Sequence, residues 1–289
     1  MRERLASRIL RILSPDEMLP LGGRQATVIS ISNQKGGVGK TTTSVNLGAG
    51  LALFHSKRVL LVDMDAQGHV GISLNHPASN GTRMGQVLAS KNGSIMDVIV
   101  PTDVRHLDVT LSDNSLLEAE SQLSGKIGRE FILRKALTRA RTYYDFIFID
   151  CPPNLGNLTV NAYVASEYLL IPCDLSALAL EGMEGILEVL DTVNLRLNHP
   201  LTILGVLTTR VDRRNLVMNE AVLERLKEVF HDKLFRTQIT VNTDLNKAQL
   251  AGKPIFTYAR SSAGAKDYQA LAEELIERLQ SLVSKPANP

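Results

Sequence analysis

The residues Gly36, Gly37, Val38, Gly39, Lys40, Thr41 and Thr42 have the types and order that bind a polyphosphate. Glycines let a short loop turn its successive N–H groups inward, onto anionic oxygens. Lys40 is placed to reach the β- and γ-phosphates of a nucleotide, and the Thr41 hydroxyl to ligate Mg²⁺. The loop follows the apolar run Thr27–Ser32 and opens a helical pattern, so the positive end of a helix dipole would add to the site. This spacing points to ATP and Mg²⁺ as ligands.

Such a loop needs an acidic partner on another strand. Asp150 ends the run Phe146–Ile149, which puts a carboxylate on the rim where α/β proteins bind ligands. It is expected to hold Mg²⁺ directly or through a water. Pro152, Pro153 and Gly156 follow, in a loop suited to sensing a γ-phosphate. A second acidic strand end carries Asp63 and Asp65, one residue apart and so expected on the same face. Two like charges on one rim call for a cation nearby. One of them can tune the metal shell, and the other can orient or deprotonate an attacking water. The expected metal ligands are therefore Thr41, Asp63 and Asp150. Lys35, in front of the loop, is left without a task inside one subunit.

The elements that position these residues alternate between strand and helix. Strand-like runs are Thr27–Ser32, Arg58–Asp65, Leu107–Ser112, Tyr144–Asp150, Glu167–Pro172 and Leu201–Thr209. Several are continuously apolar, as strands buried on both faces are. Helical patterns cover Thr41–Phe54, Glu130–Arg141, Glu181–Val193 and Val217–Phe230, and a C-terminal stripe joins Tyr268, Leu271, Ala272, Leu275, Ile276, Leu279 and Leu282. The expected class is α/β, a three-layer P-loop fold with a mainly parallel, doubly wound sheet flanked by helices. Residues 1–25 read as an arm and linker, 26–285 as one ATPase domain and 286–289 as a tail. In the arm, Leu5, Ile9, Ile12 and Leu13 fall at helical spacing among arginines. That fits packing on the domain or on a partner subunit, a membrane-surface helix or a docking peptide.

A net charge of +2 with 44% hydrophobic residues describes a globular protein and excludes a strongly basic, histone-like one, although a local basic face remains open. Trp is absent and aromatics are 4%, which argues against base-stacking platforms. Cys151 and Cys173 each end an apolar run and are expected to be buried free thiols. With no run near the length of a membrane span and no signal-peptide pattern, a cytoplasmic protein is expected.

These motifs resemble the ParA/MinD family of partition ATPases, the deviant Walker A group. The stretch Lys35–Gly48 carries both lysines of the family's loop, Val59–Gly68 resembles its second motif with Ala66 where Pro is usual, and Phe146–Gly156 resembles its Walker B. The resemblance spans about Thr27 to Leu282 and is nearest the short ParA/Soj branch. It implies an ATP-sandwich homodimer in which Lys35 reaches the partner's phosphates and Asp65 positions the hydrolytic water. It also implies non-specific DNA binding in the ATP state and slow hydrolysis stimulated by a ParB-like protein, in a cytoplasmic, nucleoid-associated protein. Candidate DNA contacts are Arg225, Lys227, Lys233, Arg236, Lys247, Lys253, Arg260 and Lys266; the other reading of the 216–230 face is a solvated one paired to Glu224 and Glu228. Thr240, Val241, Asp244 and Lys247 depart from the family's usual Pro, Arg, Arg and Glu in a segment near its base pocket and dimer surface.

Two other readings compete. A MinD-like membrane regulator would use a C-terminal amphipathic helix, but Glu273, Glu274 and Glu277 make that helix acidic on its polar side, so membrane binding is not expected. A reductase related to the nitrogenase iron protein would need its cysteines placed to share a cluster across a dimer. A ParA-like factor positioning a non-DNA cargo also fits the atypical 240–247 segment.

Overall fold

The structure, a computed structural model, describes residues 25–76, 83–176, 179, 181–212, 214 and 216–284. The expected N-terminal helix around Leu5–Leu13 lies outside the described residues.

Among the described residues seven strands form one sheet. They are β1 (Thr27–Ile31), β2 (Val59–Asp63), β3 (Ile99–Pro101), β4 (Leu107–Thr110), β5 (Phe146–Asp150), β6 (Tyr168–Asp174) and β7 (Thr202–Thr209). Their order is β3-β4-β2-β5-β1-β6-β7, and every pairing is parallel except β3 with β4. From β1 the chain builds β2 to β4 on one side, returns to insert β5 between β2 and β1, and then adds β6 and β7 on the other side, so β1 sits at the switch point where such sheets open a ligand crevice. In register, Ile31 pairs with Asp150 and Asp150 with Asp63. The loops leaving β1, β2 and β5 therefore share one rim.

The side chains of the central strands divide by the period of two that a pleated strand imposes. Val28, Leu60, Val62, Ile147, Ile149, Leu169 and Ile171 enter one core, and Ile29, Ile31, Leu61, Phe146, Phe148 and Leu170 the other. Helices α3 (Met84–Ala89), α4 (Ser115–Leu123), α5 (Ile132–Leu137), α6 (Asn157–Ala165), α7 (Glu181–Arg196) and α8 (Leu216–Phe230) cover the first core. The second lies under α1 (Lys40–His55), α9 (Thr243–Leu250), α10 (Ile255–Tyr258) and α11 (Ala263–Ser284), with the short α2 (His69–Ile72) beside it. This is the expected three-layer arrangement.

Four local expectations are corrected. The edge strand β3 had no sequence signal, being three residues long and ending in Pro101, which only an edge tolerates. The helical pattern at 130–141 breaks into α5 flanked by 3₁₀ turns at Arg129–Phe131 and Ala140–Thr142, because the chain tightens to i→i−3 bonds such as Thr138 N to Lys135 O at 3.2 Å. On α8 helical spacing predicts a buried stripe of Val222, Leu226, Val229 and Phe230, but Val229 is 52% exposed while Leu226 and Phe230 are buried. Glu274 is buried rather than on the polar side of α11. Its carboxylate accepts the N–H groups of Arg236 (2.9 Å) and Thr237 (2.8 Å) and pairs with Arg278. Burial pushes that carboxyl up, but these donors together hold it below its ordinary pKa. The clamp fixes the segment that lies along the outer edge of β7, where Phe235 N bonds Val206 O and Ile239 N bonds Thr208 O, each at 2.9 Å.

Candidate nucleotide site

The loop between β1 and α1 is built as an anion nest. Gly37 and Gly39 take φ of +74° and +88°, values an L side chain rarely adopts. The Gly37 carbonyl accepts Arg210 Nη1 at 3.1 Å and the Val38 carbonyl accepts Thr209 Oγ1 at 2.8 Å. With their carbonyls tied back to the end of β7, the N–H groups of Gly36 to Gly39 meet no protein acceptor among the described residues. A Cβ placed on Gly36 or Gly39 would touch nothing within 4 Å. Open space lined by unpaired donors at a helix N-terminus is what a phosphate requires.

Lys40, the first residue of α1, is buried, and its ammonium donates to the Lys35 carbonyl at 3.3 Å. Burial lowers its pKa, opposed by the charge of Asp150. Thr41 and Thr42, at the first turn of the same helix, stay half-exposed beside the loop.

The acidic side is equally specific. Asp150 is 1% exposed, and its two oxygens accept the hydroxyls of Thr41 (2.7 Å) and Ser44 (2.8 Å). Burial pushes its carboxyl up to about 6, against the pull of those hydroxyls and of Lys40. Asp63 is fully buried on the neighbouring strand, and burial followed by the charge of Asp150 raises its carboxyl well above the usual range. Asp63 commits its oxygens to the N–H groups of Asp65 (3.0 Å) and Val70 (3.2 Å), so it shapes the loop that carries Asp65 and seeds α2. The strand ends at Asp63, and Asp65 stands in that loop, half-buried, not on a shared strand face as expected. Its Oδ1 accepts Gln67 N at 3.0 Å, and its Oδ2 makes no hydrogen bond to a described residue.

Mg²⁺ fits this donor set. Thr41 and Asp150 offer hard oxygens in contact with each other beside the nest, and two buried carboxylates in register lack a full counter-charge. Among the described residues no group of three or more His, Cys, Asp or Glu could hold a metal by itself. Mg²⁺ accepts such a sparse protein shell, because phosphates and waters fill the rest.

Lys35 is not loose at the front of the loop. Its ammonium bonds Asp174 Oδ2 at 2.6 Å and Ser176 Oγ at 3.0 Å, at the end of β6 in the same subunit. Asn33 links the same two segments, accepting Lys35 N at 2.9 Å and donating to the Pro172 carbonyl at 2.7 Å. Sequence reasoning missed Ser44, Arg210, Thr209, Asn33 and Asp174. Ser44 had a local signal, one helical turn after Lys40 on the face that meets Asp150, and Asn33 stands two residues before Lys35; Arg210, Thr209 and Asp174 come from strand ends distant in sequence.

The candidate DNA contacts divide between layers. Arg225 and Lys227 are exposed on α8, on one face, while Lys247 on α9, Lys253, Arg260 and Lys266 lie with the helices of the other. Lys233 is half-buried. Arg236 pairs with Glu274 and Glu277, and Lys247 with Asp244. Among the described residues no ion pair ties Arg225 or Lys227 to Glu224 or Glu228. In the atypical 240–247 segment, the Thr240 hydroxyl and N–H both bond Asp267 Oδ2 (2.6 and 2.9 Å), and Asn242 caps α9 through Asp244 N at 2.8 Å. Val241 is left 55% exposed.

Cys151 and Cys173 are buried free thiols, as expected, and burial first and a neighbouring Asp second push each up to about 12. No helix among the described residues is long and apolar enough to cross a membrane.

A family model described as an AAA domain matches residues 26–203. The chain is 43% identical over 249 residues to the sporulation initiation inhibitor protein Soj of Bacillus subtilis, covering 86% of this chain and 97% of that protein. It is 40% identical over 251 residues to the chromosome partitioning protein ParA of Myxococcus xanthus, covering 87% and 88%. A solved structure of cobyrinic acid a,c-diamide synthase from Mycobacterium smegmatis, with a bound ATP analogue and magnesium, superposes with a TM-score of 0.77 at 30% identity, covering 91% of this chain and 98% of that one.

Proposed function

The chain belongs to the ParA/MinD family of P-loop ATPases, and from that premise we propose that it hydrolyses ATP slowly as a nucleotide-gated homodimer. In its ATP state it binds DNA without sequence preference and positions a cargo, a chromosome or plasmid partition complex, along the nucleoid. A ParB-like protein stimulates the turnover. The observation that carries this reading is the Thr41–Asp150 contact at 2.7 Å beside an anion nest, with a second lysine in front of the same loop.

In this mechanism Gly36 to Thr42 hold the phosphates, and Lys40 balances charge on the β,γ side. Thr41 and Asp150 would hold Mg²⁺, which when bound would offset charge on the phosphate oxygens; Asp63 acts behind them by shaping the Asp65 loop. Asp65 positions the water whose oxygen bonds the γ-phosphorus as the β–γ bridging bond breaks to ADP. Lys35 of each subunit stabilises charge on the other subunit's γ-phosphate, which ties dimer affinity to that phosphate.

Exposed Arg225, Lys227, Lys253, Arg260 and Lys266, unpaired among the described residues, support DNA over membrane as the surface. The apolar stripe of α11 is already occupied, with Tyr268, Leu271, Ala272 and Leu275 buried in the domain. Co-sedimentation with DNA and with anionic liposomes tests the choice. DNA binding is expected with ATP and not with ADP, falling steeply as salt rises. Replacing Arg225 and Lys227 together by alanine should weaken it about tenfold and lower the log–log salt slope by about 2. Binding that ignores salt or nucleotide, or ATP-dependent recruitment to liposomes alone, would contradict the proposal.

A further inference from the structure

Lys35 already has a partner inside its own subunit. Its ammonium lies 2.6 Å from Asp174 Oδ2 and 3.0 Å from Ser176 Oγ, and the Ser176 hydroxyl donates to Asp174 Oδ1 at 3.0 Å. Both oxygens of the carboxylate are thus engaged, and the serine braces it toward the lysine. The backbone is fastened in parallel: Asn33 accepts Lys35 N and donates to the Pro172 carbonyl. Between them, the amide of Gln34 lies over Gly185 of α7, where a Cβ would collide with it. Three consecutive residues at the front of the loop are therefore joined to the end of β6 and the helix after it.

We propose that Asp174, braced by Ser176, is an intrasubunit catch for Lys35, which holds the ammonium on its own subunit and must release it before Lys35 can reach a partner's phosphate. This rests on the dimer reading above. An ammonium held at 2.6 Å by a carboxylate cannot at the same time extend across an interface. The γ-phosphate of a facing subunit competes for it with more negative charge than one carboxylate carries, whereas ADP ends one phosphate short of that position. The catch would therefore keep the chain monomeric until both subunits hold ATP.

Its strength follows from its setting. The Lys35 and Asp174 side chains are 40% and 21% exposed, so water screens the pair and each catch is modest. An ion pair of this kind changes an equilibrium by about twofold to fivefold. A symmetric dimer needs both lysines released, so the factor enters its dissociation constant squared, about fourfold to twenty-fivefold.

The test is sedimentation velocity of the full chain with a non-hydrolysable ATP analogue and Mg²⁺. Asp174→Asn keeps the shape and an acceptor but removes the charge, and Ser176→Ala keeps the charge but removes the brace. Asp174→Asn should tighten the dimer about fourfold to twenty-fivefold, and Ser176→Ala should tighten it by less. In a Lys35→Ala background Asp174→Asn should change nothing, because the catch acts only through that lysine. Dimers of Asp174→Asn as weak as wild type, or weaker, would overturn the catch while leaving the dimer reading intact. So would equal tightening in the Lys35→Ala background. A wild type that stays monomeric with the analogue would overturn the dimer reading and the catch with it.

Discussion

Replacing Lys40 by alanine should lower affinity for Mg²⁺·ATP by about 10²- to 10³-fold, because it removes a desolvated charge from a charge-assisted contact. The Lys40 side chain is buried at the first turn of α1, and its ammonium reaches back along the loop to the Lys35 carbonyl. Burial already opposes its charge, so in the absence of nucleotide its loss should leave the fold intact. The penalty appears when a triphosphate arrives and finds only N–H dipoles. Asp150 also loses a cation that helps hold its carboxyl down. Titration calorimetry with the non-hydrolysable analogue, alongside a thermal melt, reads both effects. Affinity within a few-fold of wild type would remove Lys40 from the site.

Replacing Lys35 by alanine should do the opposite: nucleotide binding survives and hydrolysis does not. In the monomer its ammonium contacts Asp174 and Ser176, a partly solvated pair whose removal changes stability little. Its task begins when it faces another subunit's γ-phosphate, where a cation supplied across an interface is worth about 10³- to 10⁵-fold in turnover. Partner-stimulated ATPase activity should therefore fall by about 10³-fold or more, with analogue affinity within about threefold of wild type. Near-normal stimulated turnover would refute the role in trans.

The candidate phosphate site was legible in the sequence because its parts are local or lie at strand ends with strong signals. A loop with three glycines and a lysine between a strand and a helix fixes its own conformation, and Asp150 closes an uninterrupted apolar strand. The sheet followed from strand length and apolar continuity, and the one strand missed, Ile99–Pro101, has neither. Side chains whose tasks depend on register were not legible. Arg210 and Thr209 fasten the loop only because β7 ends beside it, and Asp174 meets Lys35 only because β6 pairs with β1. Asp63 shows the same limit from the other side. Its bonds to Asp65 N and Val70 N add the work of shaping a loop, which neither its type nor its place in the sequence signals. Glu274 reads as a surface acid on α11 until the segment along β7 places two N–H groups against it.

The central claim is that nucleotide state sets the number of subunits. Sedimentation velocity of the wild-type chain in Mg²⁺·ATP and in Mg²⁺·ADP, at one protein concentration, tests it most directly. The account predicts a species of twice the chain's mass with ATP and a single chain with ADP. The same mass in both nucleotides would contradict it.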